Sequence, residues 1–331
     1  MGKVGIIPNP MSGKDIRRLV ACGTVSSNDY KTNIILRLLR GLDAAGVTGV
    51  AIMPDVYGIG LEAREKFSRT KKSSMDIWFL DMPVETSEED SYRASLQMKD
   101  LGIGCIITLG GDGTNRVVAK ACGEVPILPL STGTNNVFAF TVEATVAGMA
   151  AGLVSRKMLD PDETLSHRKS LDILRENEVV DLALIDAVVM KTNHIGTRAV
   201  WETDEIKQII QTCGSLSDIG LTSIGGCLEY VNSSDGYGLC VEIGDGGRSV
   251  LAPIAPGIIK EVRVRSVKII EIGETVPVNS VPSILALDGE REFRIKSGDK
   301  ISIRLSRSGL RVVEVHEVLR LATENGLFRT I

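Results

Sequence analysis

The residues best equipped for chemistry are Gly110-Gly111-Asp112-Gly113-Thr114-Asn115. Ahead of them Cys105 to Leu109 is a short apolar run that reads as a buried strand. Behind them Arg116 to Cys122 has helical composition, with Gly123 where a helix would end. In an open parallel sheet a strand–turn–helix sequence puts the turn at the carboxyl end of the strand, where ligands bind. Glycines let the backbone approach an oligophosphate closely, and N–H groups opening a helix suit an anion. Asp112 does not belong in a bare anion cradle. Its carboxylate would repel phosphate unless it holds a metal ion or takes a proton from an attacking hydroxyl. Both roles stay open, beside that of a plain structural turn.

Two more turns have similar chemistry. The strand Val4 to Ile7 runs into Pro8-Asn9-Pro10-Met11-Ser12-Gly13-Lys14, a small, polar, cation-bearing loop. Its spacing is not that of a G-x-x-x-x-G-K-[ST] phosphate loop. The strand Val125 to Leu130 runs into Ser131-Thr132-Gly133-Thr134-Asn135-Asn136, which offers hydroxyl, amide and backbone donors without bulk. Each turn alone could be an ordinary strand–helix connection. Three at the ends of strands of one sheet point to a phosphate or nucleotide site. It would be built from Asn9, Ser12, Gly13 and Lys14, from Gly110, Gly111, Gly113, Thr114 and Asn115, and from Thr132, Gly133, Thr134 and Asn135. Later in the chain Asp186 lies in an otherwise apolar strand, where a carboxylate needs a partner or solvent. Asp288-Gly289-Glu290 follows another apolar strand, and Asp-Gly favours a type I′ hairpin turn.

The elements that must position these residues fall into two patterns. Strand-like runs at Val4–Ile7, Gly49–Met53, Asp76–Met82, Cys105–Leu109 and Val125–Leu130 alternate with helical segments. The helices are expected at Ile16–Cys22, Asn28–Ala45, Leu61–Phe67, from a Ser87 cap to Leu101, and after Asn136 to about Lys157. Ile34, Ile35, Leu38, Leu39 and Leu42 form the clearest helical stripe. Such alternation predicts a doubly wound parallel sheet with helices on both faces. From about Ser166 the pattern becomes mostly β, with strands expected at Val179–Met190, Cys227–Val231, Tyr237–Ile243, Val262–Ile272, Ser283–Leu287 and Lys300–Leu305. One helix is expected at Thr203–Thr212, and another within Val312–Leu327. The expected organisation is an α/β nucleotide-binding domain over residues 1–160, rejoined by 310–331, and a β-rich substrate domain over 161–309.

Bulk properties exclude several classes. The 331 residues suffice for two domains, and 43% hydrophobic with 24% charged residues is ordinary for a globular chain. Only 4% aromatic residues and a net charge of −4 argue against a nucleic-acid binder or an anionic-membrane binder. No apolar run is long enough to span a bilayer. A strand starting within three residues of Met1 leaves no room for a signal peptide. Six scattered cysteines without a C-x-x-C pair read as reduced packing residues of a cytoplasmic protein, and three distant histidines give no zinc site.

Gly110-Gly111-Asp112-Gly113-Thr114 resembles the GGDGT signature shared by NAD kinases and the diacylglycerol and sphingosine lipid kinases. Asn9 to Lys14 resembles the NPxSGK loop of that superfamily, and Thr132 to Asn136 is similar to its PxGTGN or NTG loop. Asp288-Gly289-Glu290 is similar to the DGE of lipid kinases and the DGQ-like turn of NAD kinases. Asp186 sits where NAD kinases carry an Asn-Glu or Asn-Asp pair, with Ile185 at the Asn position. Thr197 to Trp201, Ala252 to Gly257 and Ala286 to Glu292 resemble the acetoin-catabolism protein X branch of the ATP-NAD kinase family. The resemblance covers nearly the whole chain by motif order. It implies a Mg²⁺-dependent kinase transferring phosphate from ATP or polyphosphate to a hydroxyl, above all the adenosine ribose 2′-OH of NAD. Asp112 would be the base or hold the metal, and Asp186, Asp288 and Glu290 would face the substrate. It further implies small-molecule nucleotide substrates and a homo-oligomer. A lipid or sphingoid-base kinase shares most of these motifs. A non-catalytic nucleotide-binding accessory protein of acetoin catabolism would accommodate Ile185.

Overall fold

Fully buried apolar strands organise the first half of the protein. The computed structural model describes residues 2–13, 27–70, 72–133, 136–191, 203–279, 282–307 and 310–329. The first elements are β1 (Lys3–Pro8), α1 (Asn28–Ala44), β2 (Gly49–Ile52), α2 (Ile59–Thr70), β3 (Asp76–Phe79) and α3 (Glu88–Asp100). They are followed by β4 (Cys105–Gly110), α4 (Asp112–Ala119), β5 (Ile127–Ser131), α5 (Ala144–Ser155), α6 (Pro161–Thr164) and β6 (Leu165–His167). Strand side chains alternate between two cores, as the pleat requires. Ile6 and Ile107 join Leu38, Leu42, Ala147 and Ala151 on one face, while Ile7 and Ile106 join Ala94, Met98 and Val118 on the other. Helices therefore cover both faces of the sheet. α1 and α5 approach closely through glycine, since a Cβ on Gly148 would lie 2.4 Å from the Leu38 carbonyl oxygen.

The second half is antiparallel. It comprises β7 (Ser170–Arg175), β8 (Glu178–Ala183), β9 (Asp186–Met190), β10 (Ile206–Gln211), α7 (Thr222–Gly226), β11 (Tyr237–Ala255) and β12 (Ile258–Glu271). The remaining elements are β13 (Thr275–Pro277), β14 (Ser283–Leu287), β15 (Glu290–Ile295), β16 (Ile301–Ser306), β17 (Arg311–Val313) and α8 (Val315–Glu324). A six-stranded sheet β12-β11-β10-β9-β14-β15 packs on a four-stranded sheet β13-β16-β7-β8, with Ile173, Val189, Ile210, Leu285 and Ile303 between them. β17 pairs parallel to β5 and antiparallel to β6, extending the first sheet to the order β3-β2-β1-β4-β5-β17-β6. Val315 and Val318 of α8 join the first core. The molecule is thus a doubly wound α/β sheet with a second, mostly β domain. Among the described residues no helix is long and apolar enough to cross a membrane, and five cysteines are free, four of them buried.

Several local expectations give way to tertiary contacts. The predicted helix at 203–212 is β10, an inner strand paired with β9 and β11. A bulge between Ile206 and Gln208 puts Ile206 and Ile209 on one face despite their odd separation, while Ile210 faces the opposite core, so the helix-like spacing is that of a strand buried on both sides. Strand Val179–Met190 is two strands, broken at Leu184–Ile185. Cys227 ends α7 rather than starting a strand, and Val231 contributes only an isolated bridge with Gly214. No helix starts directly after Asn136. Phe140 returns along β5 instead, and α5 begins at Ala144 under a Glu143 cap. Ser87 precedes α3 without a side-chain cap bond, and the first-turn Asp90 accepts from the N–H groups of Glu85 and Thr86. Ile16–Cys22 and Thr197–Trp201 lie outside the described residues.

Candidate functional site

The three polar turns follow β1, β4 and β5, which are neighbours in the sheet. Hydrogen bonds join them. Asn9 Nδ2 donates to Thr114 Oγ1 at 2.8 Å, the Ser12 and Thr132 hydroxyls are 2.6 Å apart, and Thr132 N–H donates to the Gly110 carbonyl at 3.1 Å. Gly110 and Gly111 are required by crowding. A Cβ on the first would lie 2.5 Å from the Thr114 side chain and on the second 2.8 Å from Asn136 Oδ1. Gly13 ends the first turn at φ +73°. Asn115 is fully buried and brackets the second turn from inside, accepting from Thr108 Oγ1 at 2.7 Å and donating to the Gly111 carbonyl at 2.9 Å. Of the residues singled out, Lys14, Thr134 and Asn135 lie outside the described residues, as does the Glu290 side chain. Asn9, Ser12, Thr114 and Thr132 come together, with the glycines between them.

Asp112 opens α4, so that helix begins inside the glycine turn. Its carboxylate, 9% exposed, accepts from Val137 N–H at 2.8 Å, Phe138 N–H at 3.0 Å and Ala139 N–H at 3.1 Å. It therefore pins the chain beyond the third turn to the second one, a duty that the motif alone does not reveal. Beneath the first turn lies Lys31 of α1, fully buried. Its Nζ donates to the carbonyls of Asn9, Pro10 and Ser12 at 2.9, 3.1 and 2.8 Å. The signal for Lys31 was its place on the apolar stripe, three and four residues before Ile34 and Ile35.

The β domain faces this surface with a second pinned carboxylate. Asp288-Gly289 is a two-residue hairpin turn between β14 and β15, with φ of +50° and +80°. The Asp288 carboxylate turns inward and accepts from the N–H groups of Leu184, Ile185 and Asp186 at 2.7–3.2 Å, bridging the break between β8 and β9. Burial pushes its carboxyl up to about 6, against the backbone N–H bonds and the Arg116 cation, which pull it down. Arg116 is 1% exposed and lies between Asp181 at 3.3 Å and Asp288 at 3.9 Å. Four residues on from Asp112, it shares a face of α4 with it, and that spacing is the sequence signal for Arg116.

Asp112, Asp186, Asp288, Ile185 and Thr222 line one cavity of about 30 Å³ between the two halves. That is room for a water or two, not a nucleotide. Among the described residues no group of three or more His, Cys, Asp or Glu could hold a metal ion by itself. The donor set instead fits a Mg²⁺ that shares one carboxylate, Asp112, with substrate phosphates.

Residues 4–158 match the ATP-NAD kinase N-terminal domain, and residues 169–308 match the acetoin catabolism protein X C-terminal domain. The chain is 38% identical over 338 residues to the acetoin catabolism protein X of Cupriavidus necator, covering 99% of this chain and 94% of that protein. It is 28% identical over 219 residues to the NAD kinase of Thermoplasma volcanium, covering 66% and 76%. Among solved structures, an NAD kinase from Archaeoglobus fulgidus in complex with ATP matches with a TM-score of 0.41 at 15% identity, covering 85% of this chain and 99% of that one. With one relative aligned along nearly its full length and both halves matched in order, the chain belongs to the acetoin catabolism protein X branch of the ATP-NAD kinase family.

Proposed function

We propose that this protein is an NAD kinase-like phosphotransferase that moves a phosphoryl group from ATP or polyphosphate to a hydroxyl, with the adenosine ribose 2′-OH of NAD as acceptor. One observation carries the reading. Turns on the adjacent strands β1, β4 and β5 are bonded into one surface, and Asp112 at its edge shares a cavity with Asp186 and Asp288 of the β domain. Phosphoryl transfer asks mainly for positioning and charge neutralisation, which such a surface can supply. The N–H groups of Gly111, Gly113 and Thr114 would hold phosphate, with Asn9 and Ser12 beside them. Asp112 would take the acceptor proton and would hold Mg²⁺ together with substrate phosphates; the ion, when bound, offsets charge on the transferring group. Closure of the two halves would exclude water from the reacting atoms.

The test is a transfer screen on purified protein with Mg²⁺, with ATP or polyphosphate as donor and NAD, NADH, diacylglycerol and a sphingoid base as acceptors. Asp112→Asn is the control. As a base, Asp112 should account for roughly 10²–10⁴-fold in turnover, with little change in KM. As a pin only, its loss should lower Tm and raise KM while turnover survives. Phosphorylated lipid, with no NADP, would move the protein to the lipid-kinase branch. A second reading has its own observation. Ile185 is 5% exposed and brings an apolar side chain to the cavity beside Asp186. This would suit a nucleotide-binding accessory protein, and binding of ATP or NAD with no product from any acceptor would favour it.

A further inference from the structure

We infer that Asp181, Lys120 and Arg116 form an ionic latch that holds the two halves closed over Asp112, on a hinge where the chain crosses between them. The inference does not depend on the kinase reading, because it concerns access to Asp112 whatever reaction occurs there. The chain crosses twice, from β6 to β7 through Arg168 and Lys169, and from β16 to β17. Arg168 N–H donates to the Leu310 carbonyl at 3.0 Å, so the two crossings lie side by side. Two short, adjacent crossings define one axis about which the halves can turn. Among the described elements no helix or strand of one half packs extensively on an element of the other. Thin contact of that kind leaves relative domain motion as the default.

The latch is built on α4. Asp112, Arg116 and Lys120 follow one another at a spacing of four, which is one helix face, and the last two reach across to the β domain. Arg116 Nη1 lies 3.3 Å from Asp181 Oδ1 and Lys120 Nζ 2.6 Å from the same oxygen, while Arg116 Nε is 3.9 Å from Asp288. Among the described residues these are the ion pairs that join the halves away from the crossings. The Arg116 and Asp288 side chains are shut away, but Lys120 keeps 30% and Asp181 17% of its side chain exposed, so dissolved salt reaches the outer pair. Beside the latch runs an apolar seam. Leu184, Ile185 and Cys213 of the β domain share one cluster with Ile106, Val118 and Ile127 of the first half. Burial raises the Cys213 thiol, and the Asp112 carboxylate adds to this from across the seam.

Cys213 therefore reports opening of the seam. Cys105, fully buried in β4 between β1 and β5, reports unfolding of the first core. Labelling the native protein with N-ethylmaleimide, each site read by peptide mass spectrometry, follows both at once. Asp181→Asn keeps the shape and removes the charge; it should label Cys213 roughly tenfold faster and Cys105 at the wild-type rate. Lys120→Met, which leaves the Arg116 pair in place, should accelerate Cys213 roughly twofold to fivefold. Raising NaCl to about 0.5 M should accelerate Cys213 in wild type and add little in Asp181→Asn. Unchanged Cys213 labelling in both variants would overturn the proposal. Parallel acceleration of Cys213 and Cys105 would overturn it too, by making the charges a support of the whole fold. Because the assay holds neither phosphoryl donor nor acceptor, a protein that transfers no phosphate can still show the latch, and one that transfers it can still lack one.

Discussion

Lys31→Met tests whether a buried lysine shapes the first polar turn. The side chain sits in the first turn of α1, where the helix dipole disfavours a cation, so the helix does not explain it. Its three carbonyl acceptors do. Methionine matches the stem in volume and leaves the Pro10 and Ser12 carbonyls without this donor, while the Asn9 carbonyl keeps the Ser12 hydroxyl at 3.0 Å. At about 1 kcal/mol for each buried acceptor left unpaired, the loss is about 2 kcal/mol. At roughly 2–4 °C per kcal/mol for a domain of this size, Tm should fall by ~4–8 °C. Thermal unfolding followed by circular dichroism reads this directly. Amide exchange should report opening confined first to Met11 and Gly13, whose peptide groups adjoin the Pro10 and Ser12 carbonyls. A Tm within about 2 °C of wild type would mean that water replaces the ammonium, and the argument for Lys31 would fail.

Arg116→Met should cost roughly 2–4 kcal/mol in urea unfolding, because Asp288 stays buried while its nearest cation is lost; the 3.9 Å separation keeps the figure below that of a close pair. Lys120 still faces Asp181 at 2.6 Å, so that carboxylate should be affected less. Asp288 also predicts a pH dependence. Its folded-state carboxyl is raised from 3.8 to about 6, so its contribution to stability is fully present below the unfolded value and lost as pH rises through 6. The stability of wild type relative to Asp288→Asn should therefore decline between pH 4 and 7, by on the order of 3 kcal/mol. Tm profiles of the two proteins over that range check it, and parallel profiles would refute it.

Much of the scaffold was legible in residue order alone. Apolar runs such as Cys105 to Leu109, and the stripe from Ile34 to Leu42, have one period each and need no distant partner to declare strand or helix. The three polar turns were visible for the same reason, as glycine and small polar residues at strand ends. Failures occurred where a distant contact competed with the local pattern. Ile206, Ile209 and Ile210 imitate a helix until pairing with β9 and β11, and the bulge, make them a strand. Residues 137–139 do not start a helix because their N–H groups go to Asp112, 25 to 27 residues earlier. Asp112 and Asp288 stood out by type, yet their hydrogen-bond partners did not, and neither did Lys31, Arg116 or Thr222 as neighbours of the site. Composition, periodicity and turn chemistry act within a few residues and so determined the elements, their order and the placing of the polar turns. Which buried carboxylate meets which backbone N–H depends on segments as much as 104 residues apart brought into contact. Only the tertiary structure decided that.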